Sequence, residues 1–151
     1  TFAENALLKA RAACLESGLA AIADDSGLCV DALAGAPGVY TARYAGPHGD
    51  DDANMTKLLR ELQGVPQEKR TARFVSAVAL VFPSGEEQVF LGECPGYIGA
   101  ERRGAGGFGY DPVFYVNGKS YAEMTDCEKD GLSHRAAALE KLGRWLADNP
   151  R

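Results

Sequence analysis

Apolar and polar positions follow two rhythms along this chain, and each rhythm predicts its own kind of element. Thr1-Phe2-Ala3-Glu4 reads as a capping box, since a Thr hydroxyl and a Glu three residues on can satisfy each other's backbone donors at a helix start. Leu7, Leu8, Ala12, Cys14 and Leu15 then offer an apolar helical face, and Gly18 suits the left-handed residue that ends such a helix. The run Leu19-Ala20-Ala21-Ile22-Ala23 predicts a buried strand that delivers Asp24 and Asp25 at its C-terminal end. After Cys29-Val30-Asp31-Ala32-Leu33 the chain is punctuated by Gly35, Pro37, Gly38, Gly46, Pro47 and Gly49, which predicts irregular structure.

A second helix follows Asp50-Asp51-Asp52, with Met55, Leu58, Leu59 and Leu62 at helical spacing and Gly64 and Pro66 as its stop. Three Asp in a row resemble a metal cluster, but negative charge at a helix N-terminus is favoured by the dipole, and capping is the preferred reading. Arg73 to Phe82, rich in Val and Phe, turns through Pro83-Ser84-Gly85-Glu86 into Gln88 to Gly92, the pattern of a β-hairpin. Strand character continues through Tyr97 and Ile98, and Val113 to Val116 closes on the turn pair Asn117-Gly118. Thr125-Asp126-Cys127-Glu128 reads as another capping box. Ser133-His134-Arg135 opens a terminal helix whose apolar stripe is Leu139, Leu142 and Leu146. This order predicts an α/β fold, a mixed β-sheet flanked by helices, in a single domain spanning residues 1–151.

Composition narrows the partners more than the fold. Net charge is −5 and the cations are scattered singly, so no basic stripe offers itself to a nucleic-acid polymer. Hydrophobic residues make up 46% and charged residues 25%, no apolar run reaches membrane-spanning length, and no signal peptide is expected. Cys14, Cys29, Cys94 and Cys127 lack any C-x-x-C spacing, which predicts reduced thiols and a cytoplasmic protein without a membrane partner.

Adjacent carboxylates at Asp24 and Asp25 repel unless a cation or a proton sits between them. Asp at a strand end suits Mg²⁺, which takes one or two carboxylates plus substrate phosphates. An Asx-turn at Asp25-Ser26 beside Gly27 is the alternative. Gly104-Ala105-Gly106-Gly107-Phe108-Gly109-Tyr110-Asp111-Pro112 allows close approach of a ligand to the backbone, with aromatic faces for a planar ring and a carboxylate that can accept from a ring N–H. A hairpin corner with core aromatics is the alternative there. At Ser133-His134-Arg135 the free N–H groups of a helix start favour electron-rich ligand atoms, although His134 and Arg135 also suit an ordinary surface.

Taken together, Asp24-Asp25-Ser26-Gly27, the Gly107-Phe108-Gly109-Tyr110-Asp111-Pro112 loop and Glu128-Lys129 followed by Ser133-His134-Arg135 resemble the inosine triphosphatase family, the non-canonical purine NTP pyrophosphatases. The opening Thr1 to Ala6 with Lys9 is similar too, as are Gly35-Ala36-Pro37-Gly38 and Ala42-Arg43-Tyr44. The resemblance implies hydrolysis of ITP, dITP or XTP to the monophosphate and pyrophosphate, by a two-lobed homodimer with a central cleft. It implies Asp25 as general base and Mg²⁺ ligand, with Asp24 and Lys9 beside it. Ser26, Phe108, Gly109, Tyr110, Asp111, Lys129, His134 and Arg135 correspond to substrate-binding positions. The family's Ser/Thr-x-Asn-x-x-Lys phosphate loop is not matched, so an N-terminally truncated member is expected, with a nucleotide-binding module lacking turnover as the alternative.

Overall fold

The computed structural model describes residues 1–150. Helix α1 spans Phe2–Ser17, α2 Asp51–Glu61, α3 Asp126–Leu132 and α4 His134–Asp148. Strands β1 (Ala21–Val30), β2 (Thr71–Val81), β3 (Glu87–Ile98), β4 (Phe114–Val116) and β5 (Lys119–Ser120) form one sheet in the order β1-β2-β3-β4-β5. The α/β class is the expected one. The registered pairs, β3 with β4 and β4 with β5, are both antiparallel. Between β4 and β5 the two-residue turn Asn117-Gly118, both at positive φ, can only return the strand antiparallel to itself.

The caps sit where the sequence places them. Thr1 accepts from the Glu4 N–H at 3.1 Å, and Gly18 ends α1 at φ 72° with its own N–H on the Cys14 carbonyl. At α3 the capping box closes in both directions, Glu128 N–H to Thr125 and Thr125 N–H to Glu128, each at 3.1 Å. The glycine- and proline-punctuated stretch after β1 holds two short 3₁₀ segments, Asp31–Leu33 and Gly38–Arg43.

Two compact units divide the chain. The first comprises Thr1–Ser26, Val75–Glu93 and the chain from Leu132. Within it β2 alternates its side chains between two cores. Ala77, Ala79 and Val81 pack with Ala6, Ala10 and Cys14 of α1, while Val78 and Leu80 pack with Ala138 and Leu142 of α4, backed by Phe82, Phe90 and Trp145. The buried stripe of α1 is therefore Ala6, Ala10 and Cys14, not the leucine-rich face expected, and Leu15 is 88% exposed. Small residues at i, i+4 spacing let a helix approach a sheet closely, which a leucine stripe would prevent. In α4 the expected stripe is likewise shifted: Leu142 is buried, whereas Leu139 and Leu146 are exposed.

The second unit comprises Gly27–Phe74 and Cys94–Gly131. Its core gathers Leu28, Val30, Met55, Leu58, Leu62, Ile98 and Val113 around an aromatic trio. Phe74, Phe114 and Tyr121 have ring centroids 4.6 to 5.6 Å apart, edge-on or stacked, a favourable arrangement for quadrupolar rings. Arg70 is buried beside this core with its guanidinium satisfied by three carbonyls, those of Leu62, Val65 and Gly99.

Candidate active site

The acidic pair lies inside β1, which runs on through Ser26 to Val30 instead of ending at Ala23. Residues in a strand point alternately to opposite faces, so Asp24 and Asp25 diverge without needing a shared ion. Each finds its own partner. Asn5 Nδ2 donates to Asp25 Oδ2 at 3.1 Å, and the Lys9 ammonium reaches Asp25 Oδ1 at 3.4 Å and donates to the Asp24 carbonyl at 3.1 Å. Arg135, in the first turn of α4, pairs with Asp24 Oδ2 at 2.9 Å.

Helix geometry explains the hold on Asp25. Asn5 and Lys9 are four residues apart on α1 and so present side chains on one face, one turn above the other. An amide and an ammonium then bracket a single carboxylate, which is 19% exposed and accepts from both. Lys9 and Asp25 were singled out from the sequence. The sequence alone assigns Asn5 no role, and its i, i+4 pairing with Lys9 is the signal that could have given it one.

His134 opens α4 behind the N-cap Ser133, whose hydroxyl accepts from the Ala136 N–H at 3.3 Å. Gly92 of β3 is what lets this helix start come so close. A Cβ at position 92 would overlap the His134 carbonyl and the Ala138 amide nitrogen. Sequence reasoning used Gly92 only as a strand end.

The second cluster lies within the other unit. Asp111, 4% exposed, accepts the Phe108 N–H at 3.1 Å and forms an ion pair with the Lys129 ammonium from α3. That ammonium also stands 5.0 Å from the centre of the Phe108 ring. Tyr110 is buried and donates its hydroxyl to the Thr41 carbonyl at 2.7 Å, and burial pushes its phenol pKa well above the ordinary range. A buried anchor thus supports a loop whose other aromatic, Phe108, is 73% exposed. Gly107 has φ 69°, and a Cβ there would overlap the Asp111 carboxylate. Phe108 thus leaves an aromatic face open to solvent, with the Asp111–Lys129 ion pair beside it. The loop is therefore neither a hairpin corner nor a set of core aromatics alone.

The structure accordingly brings Lys9, Asp24, Asp25 and Arg135 into one network and Phe108, Asp111 and Lys129 into another. Ser26 follows the acidic pair in β1, half-buried. Among the described residues no three His, Cys, Asp or Glu side chains gather as a ready-made metal centre. The donor set at Asp25 is one hard carboxylate, which suits an ion that completes its shell with phosphate oxygens and water.

The fold is shared with known proteins. The model of the Ham1 family matches residues 1–145, and the chain belongs to that family. It is 57% identical over 144 residues to the dITP/XTP pyrophosphatase of Geobacillus kaustophilus, a match that covers 94% of this chain and 71% of the relative. With the dITP/XTP pyrophosphatase of Halalkalibacterium halodurans identity is 53% over 148 residues, 97% of this chain and 76% of the relative. Among solved structures, the Staphylococcus aureus Ham1 protein superposes with a TM-score of 0.94 at 43% identity, covering 98% of this chain and 77% of that one.

Proposed function

We propose that this protein hydrolyses non-canonical purine nucleoside triphosphates, ITP, dITP and XTP, to the monophosphate and pyrophosphate, and so removes deaminated purines from the nucleotide pool. The observation that carries the proposal is the Asp25 carboxylate, fixed by Asn5 and Lys9 on a chain that shares more than half its residues with dITP/XTP pyrophosphatases. Asp25 is the group that orients and deprotonates the attacking water. Lys9 supplies positive charge next to the phosphates, where charge stabilisation and positioning account for most of the acceleration in phosphoryl transfer.

Asp25 would also hold Mg²⁺, with Asp24 next to it in the chain. When bound, the ion offsets triphosphate charge and draws electron density from phosphorus. Asp24 has a further task, since its carboxylate holds Arg135 in place.

At the base end Phe108 stacks on the purine and Asp111 accepts from the N1–H, on the loop shaped by Gly109 and anchored by Tyr110. Lys129 pairs with the Asp111 carboxylate and helps to hold it in place. By family resemblance His134, Arg135 and Ser26 are substrate-binding positions too, the first two with donors that suit O6. A 6-oxo purine pairs with this set, whereas adenine offers an amino group and an unprotonated N1, leaving both sides unmatched. Hydrogen-bonding sites reject such a mismatch by about 10⁴-fold. The family resemblance adds a homodimer and a cytoplasmic setting. No helix among the described residues is long and apolar enough to cross a membrane.

The test is product analysis. The protein incubated with ITP and Mg²⁺ is expected to release pyrophosphate and IMP; orthophosphate as the first product would contradict the proposal, and IMP binding without any release would favour a binding module.

A further inference from the structure

We infer that Asp51 is a positioning residue for purine recognition, its carboxylate clipping the glycine loop that carries Phe108 to the first turn of α2. The inference rests on the base site proposed above. The Gly109 N–H donates to Asp51 Oδ2 at 3.0 Å, joining residues far apart in sequence. The same helix turn holds the other end of the loop. Arg102 pairs with the Asp52 carboxylate, and its Nη2 donates to the Asp52 carbonyl at 3.1 Å and to the Thr56 hydroxyl at 2.7 Å.

Such a clip is needed because of what lies between Arg102 and Gly109. Gly104, Gly107 and Gly109 adopt φ values of 80°, 69° and 59°, and glycine gives up more conformational freedom on ordering than any other residue. A Cβ at Gly109 would touch nothing, so side-chain packing does not hold this peptide. The exposed Phe108 ring is not held by a core either. Its geometry is set by the peptides on either side, one fixed through Asp111 on the Phe108 N–H and the other through Asp51 on the Gly109 N–H.

Asp51 is not the helix cap. Asp50 fills that role, accepting the Ala53 N–H at 3.1 Å, so a change at Asp51 leaves the capping bond in place. An acidic first turn is usually explained by the dipole alone. Here one member of the Asp triplet caps, one clips Gly109 and one pairs with Arg102.

The decisive comparison uses Asp51→Ala, Asp51→Asn and Phe108→Ala, with calorimetric affinity for IMP, KM and kcat for ITP, and affinity for inorganic pyrophosphate. Loss of a hydrogen bond to a charged acceptor is worth about ten-fold in affinity. Asp51→Ala is therefore expected to weaken IMP about ten-fold and raise the KM for ITP in step, while kcat and pyrophosphate affinity hold. Asp51→Asn, whose amide oxygen still accepts the Gly109 N–H, is expected to restore most of the affinity. Wild-type IMP affinity in Asp51→Ala, alongside weakened binding in Phe108→Ala, would overturn the clip and leave the base site standing. Equal losses in the Ala and Asn variants would overturn it as well, by showing an effect of charge alone. Unchanged IMP affinity in Phe108→Ala would overturn the base site, and the clip with it.

Discussion

Asp24 and Asp25 are consecutive residues of β1, yet their carboxylates serve different cations: Asp24 meets Arg135 at 2.9 Å and Asp25 meets Lys9 at 3.4 Å. Strand alternation separates two like charges that would otherwise repel, and each gains a partner from a different helix. The pair thus divides into a carboxylate poised for chemistry and one that holds an arginine.

Removing the bracket on Asp25 tests the first of these roles. Asn5→Ala is expected to lower kcat for ITP by about ten-fold or more, the value of one hydrogen bond to a charged group. Thermal unfolding should shift by no more than a few degrees. Parallel kinetics and melting curves separate a loss of positioning from a loss of fold.

The Asp24–Arg135 pair is partly exposed on both sides, so its contribution to stability is small, about 1 kcal/mol or less. Asp24→Asn should therefore leave the urea midpoint nearly unchanged while raising KM for ITP, because Arg135 loses its support. A large stability loss with unchanged KM would show instead that the pair is structural.

Gly92→Ala is expected to cost about 1–3 kcal/mol, the range for forcing atoms into a packed contact, since the added methyl overlaps backbone atoms of His134 and Ala138. Urea unfolding measures this directly. ITP hydrolysis should fall as well, because the N-terminal turn of α4 carries Arg135.

Much of this arrangement was legible in the chain. The hairpins and caps were, because Gly, Pro, Asn and Thr act locally through φ and through hydrogen bonds to nearby backbone. The continuation of β1 through Asp24-Asp25 was not, since two carboxylates contradict any apolar strand pattern and are tolerated only through Lys9, Asn5 and Arg135, which lie elsewhere in sequence. The buried face of α1 was misread for a related reason. Leucines dominate its hydrophobicity, but the residues it buries fully against the sheet are Ala6, Ala10 and Cys14, with Leu7 only partly buried beside them. Asp51 was hidden by the general preference for acids at helix starts, which explains the residue type without revealing its bond to Gly109.

Alkaline pH supplies a test of the second unit. Burial raises the phenol pKa of Tyr44, helped by its hydrogen bond to Glu61, and burial likewise raises those of Tyr110 and Tyr121. A group whose folded pKa lies above its unfolded value, about 10 for Tyr, stabilises the fold fully below that value. Above it the unfolded chain gives up protons that the folded one keeps, so stability is lost as pH rises. Urea midpoints should be level between pH 8 and 9 and fall by pH 11 (values chosen to straddle a phenol pKa of about 10), and Tyr44→Phe should make that fall shallower.

The most direct measurement of the central claim is pyrophosphate release from ITP, XTP, GTP and ATP with Mg²⁺, by the wild-type protein and by Asp25→Asn. The account predicts release from ITP and XTP, little from ATP, and near-complete loss in Asp25→Asn with IMP binding retained. Equal turnover of ATP and ITP, or full activity in Asp25→Asn, would contradict it.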